Sequence, residues 1–363
     1  MVKTNEYLDF WNNKKVFITG HTGFKGSWLS IVLKSLGSKV YGFALKPNTN
    51  PSLFYEAKID EFTDSTFGDI NDLNHLSETL QRVEPDIVFH LAAQPLVRES
   101  YDNPINTYKT NIIGTANILE AIRQIKSVKA FLNVTTDKCY ENKEWSWGYR
   151  ENDPLGGHDP YSSSKACSEL VTSSYMKSFF NKSFSPGIAT ARAGNVIGGG
   201  DWSKDRLIPD VIRSYENNNI VRIRNPKSTR PWQHVLEPIN GYMLLIQKLW
   251  DEKSEFSGSY NFGPFNEGER DVEFVVEKLS SNLDQENNWL IDQNSENPHE
   301  ANYLKLDISK SISKLGWRPR YKIEESILKT ANWYKNWKNN MNAYDLCMQE
   351  IDEFFKGDIN EKI

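Results

Sequence analysis

Residues 19 to 26 read Thr19-Gly20-His21-Thr22-Gly23-Phe24-Lys25-Gly26, with three glycines at intervals of three. An apolar run from Lys15 to Thr19 precedes them, and a helical pattern from about Gly26 to Leu36 follows. A strand that turns this sharply into a helix leaves a chain few folds to choose from. Gly20 permits the tight turn, Gly23 lets the backbone approach a pyrophosphate, and Gly26 lets the helix lie close against the sheet. The start of that helix supplies free N–H groups and a partial positive charge for phosphates. The motif therefore predicts a dinucleotide site, with Gly20, Thr22, Gly23, Phe24 and Gly26 as its candidate residues.

The alternation continues for another 170 residues. Strands are expected at 39–45, 61–67, 86–92, 129–134 and 187–192, with helices over 71–83, 105–125 and 161–180. Strands alternating with helices imply a doubly wound, Rossmann-type parallel α/β sheet, which binds its ligand beyond the carboxyl ends of the strands. Asp69 and Ile70 after the third strand, and Leu91, Ala92 and Ala93 after the fourth, are placed to line the cofactor. The second strand ends without an acid for the ribose hydroxyls, and Lys46 nearby keeps NADP open beside NAD.

After Gly198-Gly199-Gly200-Asp201 the rhythm breaks into short strands (220–224, 289–291) and helices (236–250, 273–283, 323–337). The chain divides accordingly into a nucleotide-binding domain, 1–194, and a mainly substrate-binding α+β lobe, 195–363. A part of the second, about 232–262, is expected to return to the first, and 357–363 to fray.

Composition narrows the class. The 363 residues carry 43 Lys and Arg against 48 Asp and Glu, a net charge of −5, with no basic run, which argues against nucleic acid as a partner. No apolar run reaches the ~18 residues of a membrane helix, and the first residues do not read as a secretory signal. Cys139, Cys167 and Cys347 are too few and too scattered for a disulfide framework, and no metal-ligand spacing appears. A cytoplasmic, metal-free protein without a membrane partner is expected.

Tyr161 and Lys165 are spaced i, i+4 and share one helix face. A phenol near pKa ~10 is a poor base at neutral pH, and an ammonium beside it would favour the phenolate. Tyr-x-x-x-Lys some 140 residues after the glycine turn resembles the extended short-chain dehydrogenase/reductase superfamily. There the matching Tyr is the base, the Lys also binds the nicotinamide ribose, and a Ser or Thr ends the fifth strand. In this chain that strand ends Thr135-Thr136-Asp137-Lys138-Cys139-Tyr140. Hydride transfer needs only the hydroxyl of Thr136, so the adjacent acid and amine suggest further acid/base chemistry.

Within the superfamily, Thr136 to Tyr140, Tyr149 to Gly157, Asp159 to Lys165, Arg192 to Trp202 and Arg230 to Pro238 look like CDP-glucose 4,6-dehydratases. The resemblance implies an NAD-dependent lyase acting on CDP-glucose. Tyr161 would take the proton of the 4-hydroxyl, Lys138 the C5 hydrogen, and Asp137 would donate to the departing 6-hydroxyl. It further implies Asn195, Arg230 and His234 around the diphosphate and ribose, and Gln94 and Arg98 near the hexose; Arg206, in the stretch where the chain leaves the sheet, is a further candidate because guanidinium forks suit phosphate oxygens. A homodimer, or a dimer of dimers, would form through the helices at 105–125 and 161–180. A dTDP- or GDP-sugar dehydratase and a 4-epimerase remain the alternatives, followed by a binding module.

Overall fold

The computed structural model describes residues 9–182, 185–217, 219–265, 268–285, 289–292 and 303–360. Six strands run in one direction: β1 (Lys15–Thr19), β2 (Lys39–Ala44), β3 (Asp64–Phe67), β4 (Ile87–His90), β5 (Ala130–Val134) and β6 (Gly187–Ala193). They lie in the order β6-β5-β4-β1-β2-β3. Both faces of the central strands are covered, and Val16, Phe17, Ile18, Ile87, Val88 and Phe89 are fully buried. That explains why these strands read as unbroken apolar runs rather than alternating ones. β3 lies at the sheet's edge, is polar over Asp64-Ser65-Thr66, and is shorter than its expected span.

The connecting helices are α1 (Phe24–Ser35), α2 (Leu73–Val83), α3 (Pro104–Arg123) and α4 (Pro160–Phe179). Asp72 caps α2 and Asp159 caps α4, each carboxylate accepting from a backbone N–H three residues on. The helix expected over 105–125 is not regular: α3 contains a π-helical turn over Lys109–Ile113. The turn directs Asn111 inward, where its amide accepts from Gln94 N and donates to Ser164 Oγ at 2.8 Å. An extra residue inserted in this way serves a polar contact rather than the apolar period, so the sequence pattern did not reveal it.

Beyond β6 the chain rises above the sheet as β7 (Asn195–Ile197), α5 (Leu207–Glu216), β8 (Val221–Ile223) and β9 (Thr229–His234). α6 (Leu236–Asp251) descends again, and β10 (Gly258–Phe262) adds a seventh parallel strand beside β6. β11 (Glu269–Asp271) then pairs antiparallel with β9, and β12 (Trp289–Ile291) pairs with β8. α7 (Val272–Asn282), α8 (Ile323–Lys338) and α9 (Ala343–Asn360) complete the chain. α9 is helical to Asn360, past the point where fraying was expected, and 361–363 lie outside the described residues. It packs against α1, so the last segment also returns to the sheet.

Aromatic residues join the two levels. Trp202 from the loop after β7 meets Trp333, Tyr334 and Trp337 of α8 at ring separations of 5.8, 6.0 and 5.0 Å. Trp28 of α1 donates to the carbonyl of Gly199 at 2.9 Å. A Cβ on Gly199 would lie 1.9 Å from the Trp333 ring, whereas one on Gly316, at φ +69°, would meet nothing within 4 Å. Gly199→Ala is therefore expected to overpack a rigid contact and cost more than the ~1–2 kcal/mol of left-handed strain expected for Gly316→Ala. Chemical denaturation of the two variants measures the difference, and an equal midpoint shift would contradict it.

Candidate active site

A cavity of about 1460 Å³ lies between the carboxyl edge of the sheet and the upper lobe. The glycine turn forms one wall. Gly20 has φ +76°, and a Cβ there would sit 2.7 Å from Ala92 N, so β4's exit and the turn touch backbone to backbone. A Cβ on Gly26 would fall 2.2 Å from the Gly20 carbonyl oxygen, which holds α1 down on the turn. Gly23 differs, since a Cβ there would meet only Gly20 O, at 3.5 Å. The chain itself does not demand glycine at 23; the cavity in front of it is what a side chain would fill. No side chain caps α1 at Gly23, so its first N–H groups stay available to a phosphate.

The other candidate cofactor residues line the same cavity: Thr22, Phe24, Asp69, Ile70, Leu91, Ala92 and Ala93. Two of them are partly occupied, Thr22 donating to Leu45 O at 2.9 Å and Asp69 Oδ1 accepting from Asn71. Lys46 at the end of β2 lies 5.7 Å from the Phe67 ring. His21 is turned away into the protein, against Gly42, with Nε2 3.0 Å from Ser65 Oγ. These residues fit a dinucleotide lying across the ends of β1 to β4. Among the described residues no group of His, Cys, Asp and Glu could hold a metal ion.

The opposite wall gathers Thr136, Asp137, Lys138, Tyr161 and Lys165. Thr136 starts a short turn over Asp137–Cys139, donating to Asp137 Oδ1 at 2.9 Å and accepting from Lys138 N at 3.3 Å. Asp137 is 1% exposed, and its Oδ2 has no partner among the described residues. Lys165 donates to the carbonyl of Val134 at 3.1 Å, which ties α4 to the end of β5.

Burial decides the electrostatics here. It pushes the Tyr161 phenol up to about 12, while a hydrogen bond with Thr136 and the charge of Arg206 act the other way. Lys165 is pulled down to about 8 by burial, against Glu169 and Cys139. The lowering expected of Lys165 together with a positive nicotinamide is thus opposed by burial. Withdrawal from water penalises phenolate and ammonium alike.

The candidate substrate residues divide. Asn195, Arg206 and Arg230 line the cavity, and Asn195 Oδ1 is buried without a partner among the described residues. Arg206 pairs with Asp201 at 3.0 Å and Arg98 with Asp205 at 3.3 Å, so the mouth of the cavity carries alternating charge. Gln94 lines it too, but its amide is spent on Leu96 and Thr107. His234 is the correction. It is absent from the lining, fully buried between Trp28 and Tyr321, with Nε2 3.1 Å from Glu350 of α9. Arg230, Trp232 and His234 share one face of β9, but only the first two line the cavity, because the end of the strand runs in between α1 and α9.

Lys25 was missed. It stands in the first turn of α1, lines the cavity and donates to Tyr242 OH at 3.3 Å. Burial first, then the charges of Arg206 and Lys165, lower it to about 7 against the pull of Asp137. A lysine inside the glycine motif, where the helix must be buried, was the available signal.

The chain can be set beside known proteins at this point. A family model described as GDP-mannose 4,6 dehydratase matches residues 17–330. A CDP-glucose 4,6-dehydratase of Salmonella typhimurium is 50% identical over 353 residues, covering 96% of this chain and 98% of that protein. The structure of a dTDP-glucose 4,6-dehydratase from Streptomyces venezuelae with NAD bound has a TM-score of 0.75 at 22% identity, over 91% of this chain and 99% of that one. A UDP-glucose 4-epimerase structure from Stenotrophomonas maltophila, also with NAD, has a TM-score of 0.77 at 20% identity, over 91% and 100%. At such identities these two structures speak for the fold.

The buried ammonium of Lys25 has a pH signature. Between about 7 and its ordinary value of 10.5 the unfolded chain binds a proton that the native one does not, so wild-type stability rises with pH across that window. Below about 7 both states are charged and the burial penalty is complete. In a Tyr242→Phe background, which strands no hydroxyl, Lys25→Met is expected to raise the melting temperature most at pH 6–7. The gain should shrink steadily toward pH ~10. A gain independent of pH would contradict the assignment.

Proposed function

The chain belongs to the GDP-mannose 4,6 dehydratase family, and from that premise we propose that it is an NAD-dependent hydro-lyase converting CDP-glucose to CDP-4-keto-6-deoxyglucose. The observation that carries this reading is the acid and amine of Asp137 and Lys138 in the same cavity as Tyr161 and Lys165. Oxidation and epimerisation at C4 need only the second pair. Removing water across C5 and C6 needs a base and an acid besides.

NAD, held by the glycine turn and Lys165, would supply the acceptor for the hydride of C4 and its donor to C6. Tyr161 takes the proton of the 4-hydroxyl, leaving a ketone that acidifies the hydrogen on C5. Lys138 removes that C5 proton, and Asp137 gives a proton to the 6-hydroxyl, which departs as water. When C6 receives the hydride, Lys138 returns a proton to C5. The sugar has then lost one water, and the cofactor ends in its starting state. Lys165 holds the nicotinamide ribose, and Thr136 orients the Tyr161 hydroxyl. Asn195, Arg206 and Arg230 hold the diphosphate, since guanidinium forks and amide donors match its oxygens. Arg98 and Gln94 border the hexose.

Residues 1–194 form the cofactor level and most of 195–363 the substrate level of this enzyme. Ile105 and Ile113 of α3 and Leu170 of α4 are 67%, 51% and 58% exposed, which supports a homodimer, or a dimer of dimers, built on those helices. No helix of the described residues is long and apolar enough to cross a membrane, and a cytoplasmic enzyme is the reading we adopt.

Purified protein incubated with NAD and CDP-glucose, beside dTDP-, GDP- and UDP-glucose, is expected to remove one water from the CDP sugar without net NADH. Stoichiometric NADH, or a substrate of unchanged mass, would overturn the reaction. Tyr161→Phe should lower C4 oxidation by ~100-fold or more. Lys138→Met should leave oxidation in place and slow exchange of the C5 hydrogen with deuterated water by ~100-fold. Unchanged exchange would move the base elsewhere.

A further inference from the structure

Glu169 takes no part in the chemistry above, yet it sits beneath all of it. It follows Tyr161 by eight residues and Lys165 by four, so the three share one face of α4. Its side chain is out of water, and four donors converge on it from three strands. Oε1 accepts from Thr135 Oγ1 at the end of β5. Oε2 accepts from Thr190 Oγ1 at 2.7 Å and Arg192 Nη2 at 2.8 Å in β6, and from Ser259 Oγ at 3.2 Å in β10. Arg192 continues the connection, donating from Nη1 to Tyr140 OH at 2.8 Å and to Glu151 O at 3.1 Å. Tyr140 OH in turn donates to Asn261 Oδ1 at 2.7 Å. Burial pushes the Glu169 carboxyl up, and Arg192, Thr135 and Thr190 more than offset this, holding it below the usual carboxylate range.

Thr135 and Tyr140 are the two shoulders of the turn that carries Thr136, Asp137 and Lys138. Both shoulders are tied, one directly and one through Arg192, to the same carboxylate on the helix of Tyr161 and Lys165. For stability alone, well-packed apolar residues would serve about as well as a buried ion pair. What the pair adds is a defined distance between two groups of side chains on different elements. We propose that Glu169 is a positioning residue, which through Thr135 and through Arg192–Tyr140 holds the Asp137–Lys138 turn in register with Tyr161 and Lys165. This rests on the dehydratase reading. In those terms, Glu169 keeps the removal of water in step with oxidation at C4.

Two conservative variants loosen one shoulder each and leave the ion pair whole: Thr135→Val and Tyr140→Phe. Glu169→Gln removes its charge. Steady-state kcat and KM for CDP-glucose are measured with NAD, followed by single turnovers that read enzyme-bound NADH and C5 exchange with deuterated water. Thr135→Val and Tyr140→Phe are expected to keep KM within about twofold while kcat falls about tenfold or more. Bound NADH should build up as elimination lags behind oxidation. Glu169→Gln should move the same ratio further in the same direction. Folded variants with wild-type kcat and no NADH build-up would overturn the proposal, and so would an equal loss of oxidation and elimination. Failure of both conservative variants to fold would make the network purely structural and likewise overturn it. If the wild-type protein does not dehydrate CDP-glucose, the underlying reading falls and carries this one with it. An active wild type with an unmoved ratio removes only the role of Glu169.

Discussion

Seven strands running the same way must each be returned by a connection over one face of the sheet, and that constraint gathers every carboxyl end on a single edge. The cavity is the consequence. β1 delivers the glycine turn there, β4 the small residues Leu91 to Ala93, and β5 the Thr136–Lys138 turn. β6 leads straight into Asn195, and β10 brings Asn261 and Ser259 beneath them. Two close backbone approaches, Gly20 to Ala92 and Gly26 to Gly20, let the turn and helix settle low enough for that edge to close into a wall.

Such an edge collects polar and charged groups that the interior must then accommodate. The protein does this in two ways. Glu169 and Arg192 are neutralised against each other and surrounded by hydroxyls, so they stay charged and hold neighbouring elements in place. Among the described residues no carboxylate pairs directly with Lys25 or Lys165, and burial pulls them down to about 7 and about 8. Both therefore gain from any negative charge that enters. A chain of net charge −5 thus keeps, inside one cavity, a group of cations whose protonation an incoming diphosphate would favour.

The sequence was most informative where the backbone itself imposes the residue. Gly20 and Gly26 could be read as structural because no other residue fits their contacts, and the central strands β1 and β4 because burial on both faces favours apolar runs. Tyr161, Lys165 and the Thr136-Asp137-Lys138 turn were legible as a set, since their spacing is local to one helix and one turn. Reading failed where a side chain's surroundings come from distant elements. His234 stands in a motif with Arg230 and Trp232 and on the same strand face, but the packing of α1 and α9 around the end of β9 takes it out of the cavity. α3 is interrupted because Asn111 answers to Gln94 and Ser164, which periodicity does not encode.

By itself the sequence determined the alternation of strands and helices, the edge at which a ligand binds, and the chemical types gathered there. These follow from spacing along the chain and from the backbone's own steric limits. Only the tertiary structure decided which of those groups share one cavity and what charge each bears. That Tyr161 is pushed up rather than down, that Lys25 lies under the site, and that one carboxylate on α4 anchors both shoulders of the Asp137–Lys138 turn depend on removal from water and on neighbours far away in sequence. Desolvation and long-range contact act only once the chain has closed on itself.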